Sequence, residues 1–330
     1  MTVKFPSPEP SLLKSLRGIL GEDDSPDREI ILEQLPSSRP VYRFRCAGGD
    51  KAVVGKFFHA FPPQSLQDQG VVQEYDHYLW AAQNGLGWEA GLLPRLLGRH
   101  PARRLGLLLE SVPGPDLDYL LGMACSNGAQ DALHAGLENL AGLLARFHAR
   151  PVSSTHLSIA EALGYFDKLR RQLGDSGLLS PEDEAHLAAE REKWPPRLSR
   201  FPDSPVVLHG DATPTNFLFP NGRAVALDLE RLRLGDRLFD LSWVAGELKH
   251  AWGWRTGNWQ AAEGAIRRFF EAYLAAIPRG SELEERLYFL NPFYMALAEL
   301  RIARNGYLSW DYRRALVAEA RRCLAGGRSL

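Results

Sequence analysis

The hydrophobic pattern of this chain changes period near residue 112, and that change constrains the fold more than any other feature. Up to Glu110 apolar residues recur in short β-type runs, and beyond it they recur at helical spacing over long segments. EIILEQL, PVYRFRC and KAVVGKFF follow one another, separated by PSSR and by Gly48-Gly49-Asp50. A Gly-Gly turn between β-rich runs predicts a hairpin, so three consecutive antiparallel strands are expected. QEYDHYLWAAQ switches to helical spacing, with Tyr75, Leu79 and Ala82 on one face and Gly85 and Gly87 as stop signals. LLPRLLGRH and RRLGLLLE read as two more strands joined by a turn at His100 to Arg103. The expectation is a sheet of five strands with one helix inserted after the third.

The break itself is SVPGPDL, with two prolines and a glycine in seven residues. Three segments are expected: a flexible or short helical extension at 1–27, a β-rich lobe at 28–112 and a larger, mainly helical lobe at 113–330. The fold class is therefore α+β with two lobes. Ala132 to Ala149 and Ile159 to Leu173 read as helices, and Ser180-Pro181-Glu182-Asp183 resembles a capping box opening another towards Trp194. One stretch interrupts them, PVVLHGDATPTNFLFPNGRAVALDLE, in which two apolar β-type runs flank polar turns.

Composition narrows the function classes. With 39 basic against 40 acidic residues and a net charge of -1, no global positive field draws the chain to nucleic acid or to an anionic membrane. No run approaches the roughly eighteen apolar residues of a membrane span, and MTVKFPSPEPS lacks the apolar segment of a secretory signal, so the cytoplasm is the expected location. Cys46, Cys125 and Cys323 are too dispersed for a zinc site or a disulfide framework. Only seven of the basic residues are lysines, which singles out Lys56 inside the apolar run VVGKFF. An ammonium there either points to the solvent face of an alternating strand or has an anionic partner, because burying an unpaired charge costs several kcal/mol.

The densest chemistry lies at His209-Gly210-Asp211, followed by Asn216 and Asp228. Oxygen-bearing side chains on short loops beside apolar strands can hold a hard divalent cation, and a further carboxylate can orient or deprotonate a hydroxyl. Each residue alone is equally a turn former. Taken together, HGDATPTN, then ALDLE, then GDRLFDLSW resemble the signature of aminoglycoside phosphotransferase-type enzymes, a family with the protein-kinase-like fold. The resemblance runs in order through Lys56, Glu74, Leu109-Glu110-Ser111-Val112 and LAGLLARFHA, and covers roughly residues 28 to 245.

The resemblance implies the following roles. Asp211 orients the acceptor hydroxyl and takes its proton, and Asn216 and Asp228 bind Mg²⁺ on the nucleotide phosphates. Lys56 binds the α- and β-phosphates and pairs with Glu74. The carbonyl of Glu110 and the amide of Val112 read the base, without discriminating ATP from GTP. His209 buttresses the catalytic loop and Asp240 accepts hydrogen bonds from its backbone. The loop over the phosphates, usually glycine-rich, reads Leu35-Pro36-Ser37-Ser38-Arg39-Pro40 here, which leaves Ser37 and Ser38 hydroxyls and the remaining amides as donors.

For the acceptor, Trp243, Trp252, Trp254 and Trp259 cluster with Glu247, His250 and Arg255, either as aromatic pocket walls or as core. Acceptor contacts are expected from this segment and from the helices around Asn291 to Trp310. From Glu247 onward there are 13 Lys/Arg against 9 Asp/Glu, a balance that disfavours a polycationic acceptor. The expected activity is ATP-dependent phosphorylation of a small-molecule hydroxyl. The alternatives are a pseudokinase that holds nucleotide or metabolite without turnover, and a nucleotide-independent hydrolase using Asp211 and Asp228, which leaves Lys56 and Asn216 without a role.

Overall fold

A computed structural model describes residues 10–20, 29–37, 41–57, 67–99, 106–149, 157–277 and 281–326. The chain divides into two compact units, one formed by Met1–Gly114 with Val225–Arg231, the other by Pro115–Ala224 with Leu232–Leu330.

The first unit contains α1 (Pro10–Leu20), then β1 (Ile30–Leu35), β2 (Val41–Cys46) and β3 (Ala52–Phe57), then α2 (Gln67–Gln83), β4 (Leu96–Arg99) and β5 (Gly106–Glu110). The five strands form one sheet in the order β1-β2-β3-β5-β4, every neighbouring pair antiparallel. In β3, alternation sends Val53 to one face and Lys56 to the other. Val53 packs with Phe44, Tyr42, Cys46 and Leu108 under Leu16 and Leu20 of α1, a core that closes one side of the sheet. Lys56, registered opposite Val41 and Leu107, belongs to the other side. The turn at His100 to Arg103 lies outside the described residues.

Helix α2 begins earlier than the sequence pattern placed it, and its inner face is also different. Glu74, Tyr78 and Ala81 are fully buried, whereas Tyr75, Leu79 and Ala82 are only half-buried. The buried stripe is offset by one residue because it contains a carboxylate, which a hydrophobic pattern does not count.

The second unit is mainly helical: α3 (Leu117–Asn127), α4 (Gln130–His148), α5 (Ile159–Asp175) and α6 (Pro181–Arg200), then α7 (Leu238–Thr256), α8 (Glu263–Ala276), α9 (Ser281–Ala303) and α10 (Trp310–Gly326). The expected capping box opens α6: the Ser180 hydroxyl accepts from the Asp183 amide, and the Asp183 carboxylate accepts from the Ser180 amide. Between α6 and α7 lie β6 (Val206–Leu208), β7 (Phe217–Leu218), β8 (Val225–Ala226) and β9 (Arg233–Gly235), with β6 and β9 antiparallel. Of these, β8 belongs to the first unit. Among the described residues no helix is long and apolar enough to cross a membrane.

Candidate active site

In the first unit, Lys56 is the centre of a charge cluster. Its ammonium donates to Glu74 Oε1 at 2.8 Å and to Asp228 Oδ1 at 2.7 Å. The lysine side chain is 12% exposed, Glu74 0% and Asp228 31%. Burial alone would lower the ammonium's pKa, but the two carboxylates outweigh it and hold it above the ordinary range. Burial has the upper hand at Glu74, whose carboxyl is pushed up to about 7 in spite of Lys56. The solvent-face alternative for Lys56 is thereby set aside. Asp228 arrives from a turn tied to this unit at two points: His77 Nδ1–H donates to the Leu229 carbonyl at 2.6 Å, and the Ala226 amide donates to the Leu92 carbonyl at 2.8 Å. Asp228 itself adopts a left-handed backbone, φ +60°, a conformation that costs a non-glycine residue about 1 kcal/mol or more and clusters at functional positions.

In the second unit, the His209-Gly210-Asp211 loop is held from below by Asp240. One oxygen of this carboxylate accepts the His209 amide at 2.7 Å and the other accepts the Gly210 amide at 2.9 Å. His148 Nε2 donates to the same group at 3.2 Å. Burial pushes the Asp240 carboxyl up, but the His148 hydrogen bond and charge, with the Gly210 amide, outweigh it and keep it below the usual carboxylate range. Gly210 sits at φ +80°, which explains glycine at this position of the turn. His209 is fully buried against Phe217, and its Nδ1 accepts the Asp211 amide at 3.3 Å. Asn216 donates through Nδ2 to the Asp211 carbonyl at 2.9 Å, which fixes its amide and leaves the side-chain oxygen as its acceptor atom.

The Asp211 carboxylate meets a partner that the sequence pattern did not single out. Arg301 of α9 donates through Nη1 to Asp211 Oδ1 at 3.2 Å and through Nη2 to Glu247 Oε1 at 2.7 Å. Its guanidinium lies 5.2 Å from the centroid of the Trp243 ring. Beside it is a cavity of about 540 Å³ lined by Thr213 and Thr215 of the Asp211 loop, by Glu247, His250, Trp254 and Arg255 of α7, and by Arg301, Asn305 and Tyr307, among others. Asp118 of α3 also reaches it and pairs with Arg255 at 2.7 Å. Burial, with Arg255 nearby, pushes the His250 imidazole down to about 4, so it is neutral at physiological pH.

The four tryptophans of this segment separate into two kinds. Trp243 and Trp252 are core, at 7% and 4% exposure. Trp259 stacks on Tyr312 and presses on Gly253, where a Cβ would stand 2.5 Å from its ring. Of the three tryptophans expected at the acceptor, only Trp254, 52% exposed, lines the cavity; Trp252 and Trp259 do not. On α7, Glu247, His250, Trp254 and Arg255 share one face and Trp252 is on another, while Trp259 lies beyond the end of the helix. Of the residues expected at the nucleotide, Glu110 ends β5 with its amide donating to the Arg95 carbonyl at 2.9 Å, and Val112 follows two residues on, half-buried. Ser37 is exposed, and Ser38, Arg39 and Pro40 lie outside the described residues.

Comparisons with known proteins agree on the class. The solved structures most like it include an ADP-bound aminoglycoside phosphotransferase, APH(2'')-Ib, with TM-score 0.58 and 16% identity over 95% of this chain and 99% of that one. Choline kinase LicA from Streptococcus pneumoniae gives 0.57 and 16% over 96% and 98%. Aminoglycoside phosphotransferase APH(3'')-Id from Streptomyces rimosus, in complex with ADP and streptomycin, gives 0.52 and 21% over 88% and 97%. These likenesses define the fold, a protein-kinase-like α+β architecture with a five-stranded antiparallel sheet and a mostly helical second part. No curated protein matches the chain. Residues 32–284 match the profile of the phosphotransferase enzyme family, APH, and the chain belongs to that family.

Proposed function

We propose that this phosphotransferase moves the γ-phosphoryl group of ATP to a hydroxyl group of a small molecule. The observation that carries the reading is the buried Lys56 held between Glu74 and Asp228: a fixed cation on an otherwise apolar strand, with two carboxylates to orient it, is what a polyphosphate needs. Lys56 donates to the α- and β-phosphates, and Glu74 keeps it aimed. Asp211, on the loop braced by Asp240, accepts the proton of the acceptor hydroxyl as its oxygen bonds to the γ-phosphorus. The bond from the γ-phosphorus to the bridging oxygen breaks, and ADP leaves.

The donor set fits Mg²⁺. Asp228 offers a partly exposed carboxylate and Asn216 an amide oxygen, and Mg²⁺ takes one or two such protein oxygens together with phosphates and waters rather than a full protein cage. Among the described residues no three His, Cys, Asp or Glu side chains group to hold a metal. When bound, the ion supplies charge neutralisation at the phosphate oxygens. The acceptor is a small molecule docking in the cavity beside the Asp211 loop. The carboxylates of its wall, Asp118 and Glu247, are each paired with an arginine, an environment unlike the open acidic trough that a polycation favours.

Incubation with [γ-³²P]ATP and Mg²⁺ over pools of sugars, polyols, amino alcohols and antibiotics tests this. Transfer of label to one pool, absent from the Asp211→Asn variant, is expected. Nucleotide binding with neither transfer nor hydrolysis would support the pseudokinase alternative instead.

A further inference from the structure

The Asp211 backbone is well anchored: His209, Asn216 and, through the loop, Asp240 all act on main-chain groups. Arg301 acts on the carboxylate itself, and its single guanidinium also holds Glu247 in the cavity wall. Both Arg301 and Glu247 are about seven-eighths buried, so the two contacts are not loose surface pairs. An arginine is not deprotonated in a protein, so Arg301 cannot exchange the proton in place of Asp211. What it can do is fix the direction of the carboxylate by holding Oδ1. Its rigid planar fork fixes the directions of both bonds, which the point charge of a lysine ammonium does not.

We infer that Arg301 is a positioning residue for phosphoryl transfer: it orients the Asp211 carboxylate and, through Glu247, ties that orientation to the wall of the acceptor cavity. The inference rests on the reading of Asp211 as the base. Glu247 is the second anchor. Burial pushes its carboxyl above the usual range, against the pull of Arg301. Losing Arg301 releases the base and loosens the wall together, while the Lys56 cluster, which shares none of these contacts, is unaffected.

The test uses the full chain with Mg-ATP, reading ADP release with water alone as acceptor and with the phosphorylated pool once one is found. Arg301→Ala should lower kcat by about 10- to 100-fold, the usual effect of a misoriented catalytic group, with ATP affinity within about twofold of wild type. Millimolar guanidinium chloride should restore part of that loss, and sodium chloride at the same ionic strength should not. Arg301→Lys, which keeps charge and bulk, should remain impaired in kcat, and it carries the test if the alanine variant does not fold. Wild-type kcat in Arg301→Lys, or in folded Arg301→Ala, while Asp211→Asn is inactive, overturns the inference and leaves the proposed function standing. Full turnover in Asp211→Asn overturns the base assignment itself, and this inference with it.

Discussion

The two charge clusters have the same composition and opposite design. In each, one cation is shared by two carboxylates: Lys56 by Glu74 and Asp228, Arg301 by Asp211 and Glu247. Lysine is a compact point charge on a flexible stem, able to exchange one partner for another, whereas arginine is a rigid fork that must keep its geometry to make both bonds. A site that must release a carboxylate when phosphates arrive is served by the first. A site that must hold a carboxylate still through the reaction is served by the second. The supports differ accordingly: Glu74 is fully buried on a helix and Asp228 partly exposed on a strained turn, while Asp211 sits on a loop whose amides are fixed by a buried aspartate.

Removing the lysine should break the first cluster. Lys56→Met is expected to lower turnover by about 10²- to 10³-fold, the usual cost of losing one charged donor to a reacting group, with a parallel loss of ATP affinity by titration calorimetry. Without its cation Glu74 should protonate rather than remain a buried anion. Glu74→Gln added to Lys56→Met should therefore change the melting temperature little, whereas Glu74→Gln alone removes a partner from Lys56.

Much of this arrangement was legible in the sequence because it is local. The three-strand run, the capping box of α6 and the HGD turn each declare themselves within a few residues. Lys56 stood out as a rare lysine in an apolar run. Glu74 was found through the family resemblance alone, since an isolated helix carboxylate looks solvated, and its burial even displaced the apparent inner face of α2. Arg301 carried no signal: it is one of the chain's many arginines, near the end of a long helix, and its partners are 90 and 54 residues away. The tryptophan segment misled for a related reason. A cluster of aromatic residues shows that a surface is apolar, but the phase of α7 decides which of them face the cavity.

The second region can be sharpened by its tryptophans. Trp252→Ala should cost about 3 to 5 kcal/mol of stability, as for a buried aromatic, and leave the kinetics of the folded fraction unchanged. Trp254→Ala should cost less than about 1 kcal/mol, as expected of a half-exposed position, and instead raise the acceptor's KM at constant ATP affinity. Thermal melts beside steady-state kinetics separate the two. Equal stability losses would remove Trp254 from the cavity wall.

A further expected effect concerns pH. Because the folded carboxyl of Glu74 titrates near 7 against an ordinary 4.5, the folded state keeps a proton that the unfolded chain has lost in that window. The resulting stability is complete below the ordinary value and is lost as pH rises through 7, at about 1 kcal/mol per pH unit between 5 and 7. Denaturant melts should show a shallower decline over this window in Glu74→Gln than in wild type. Identical slopes would mean that Lys56 keeps Glu74 ionised throughout.

The most direct measurement compares Asp211→Asn with Asp228→Ala for both turnover and Mg-ATP affinity. If the clusters divide the work as proposed, Asp211→Asn loses about 10²- to 10⁴-fold in kcat and binds Mg-ATP as wild type does. Asp228→Ala loses turnover and Mg²⁺-dependent nucleotide affinity together. Equal and mild effects of both substitutions, on either quantity, would contradict the account.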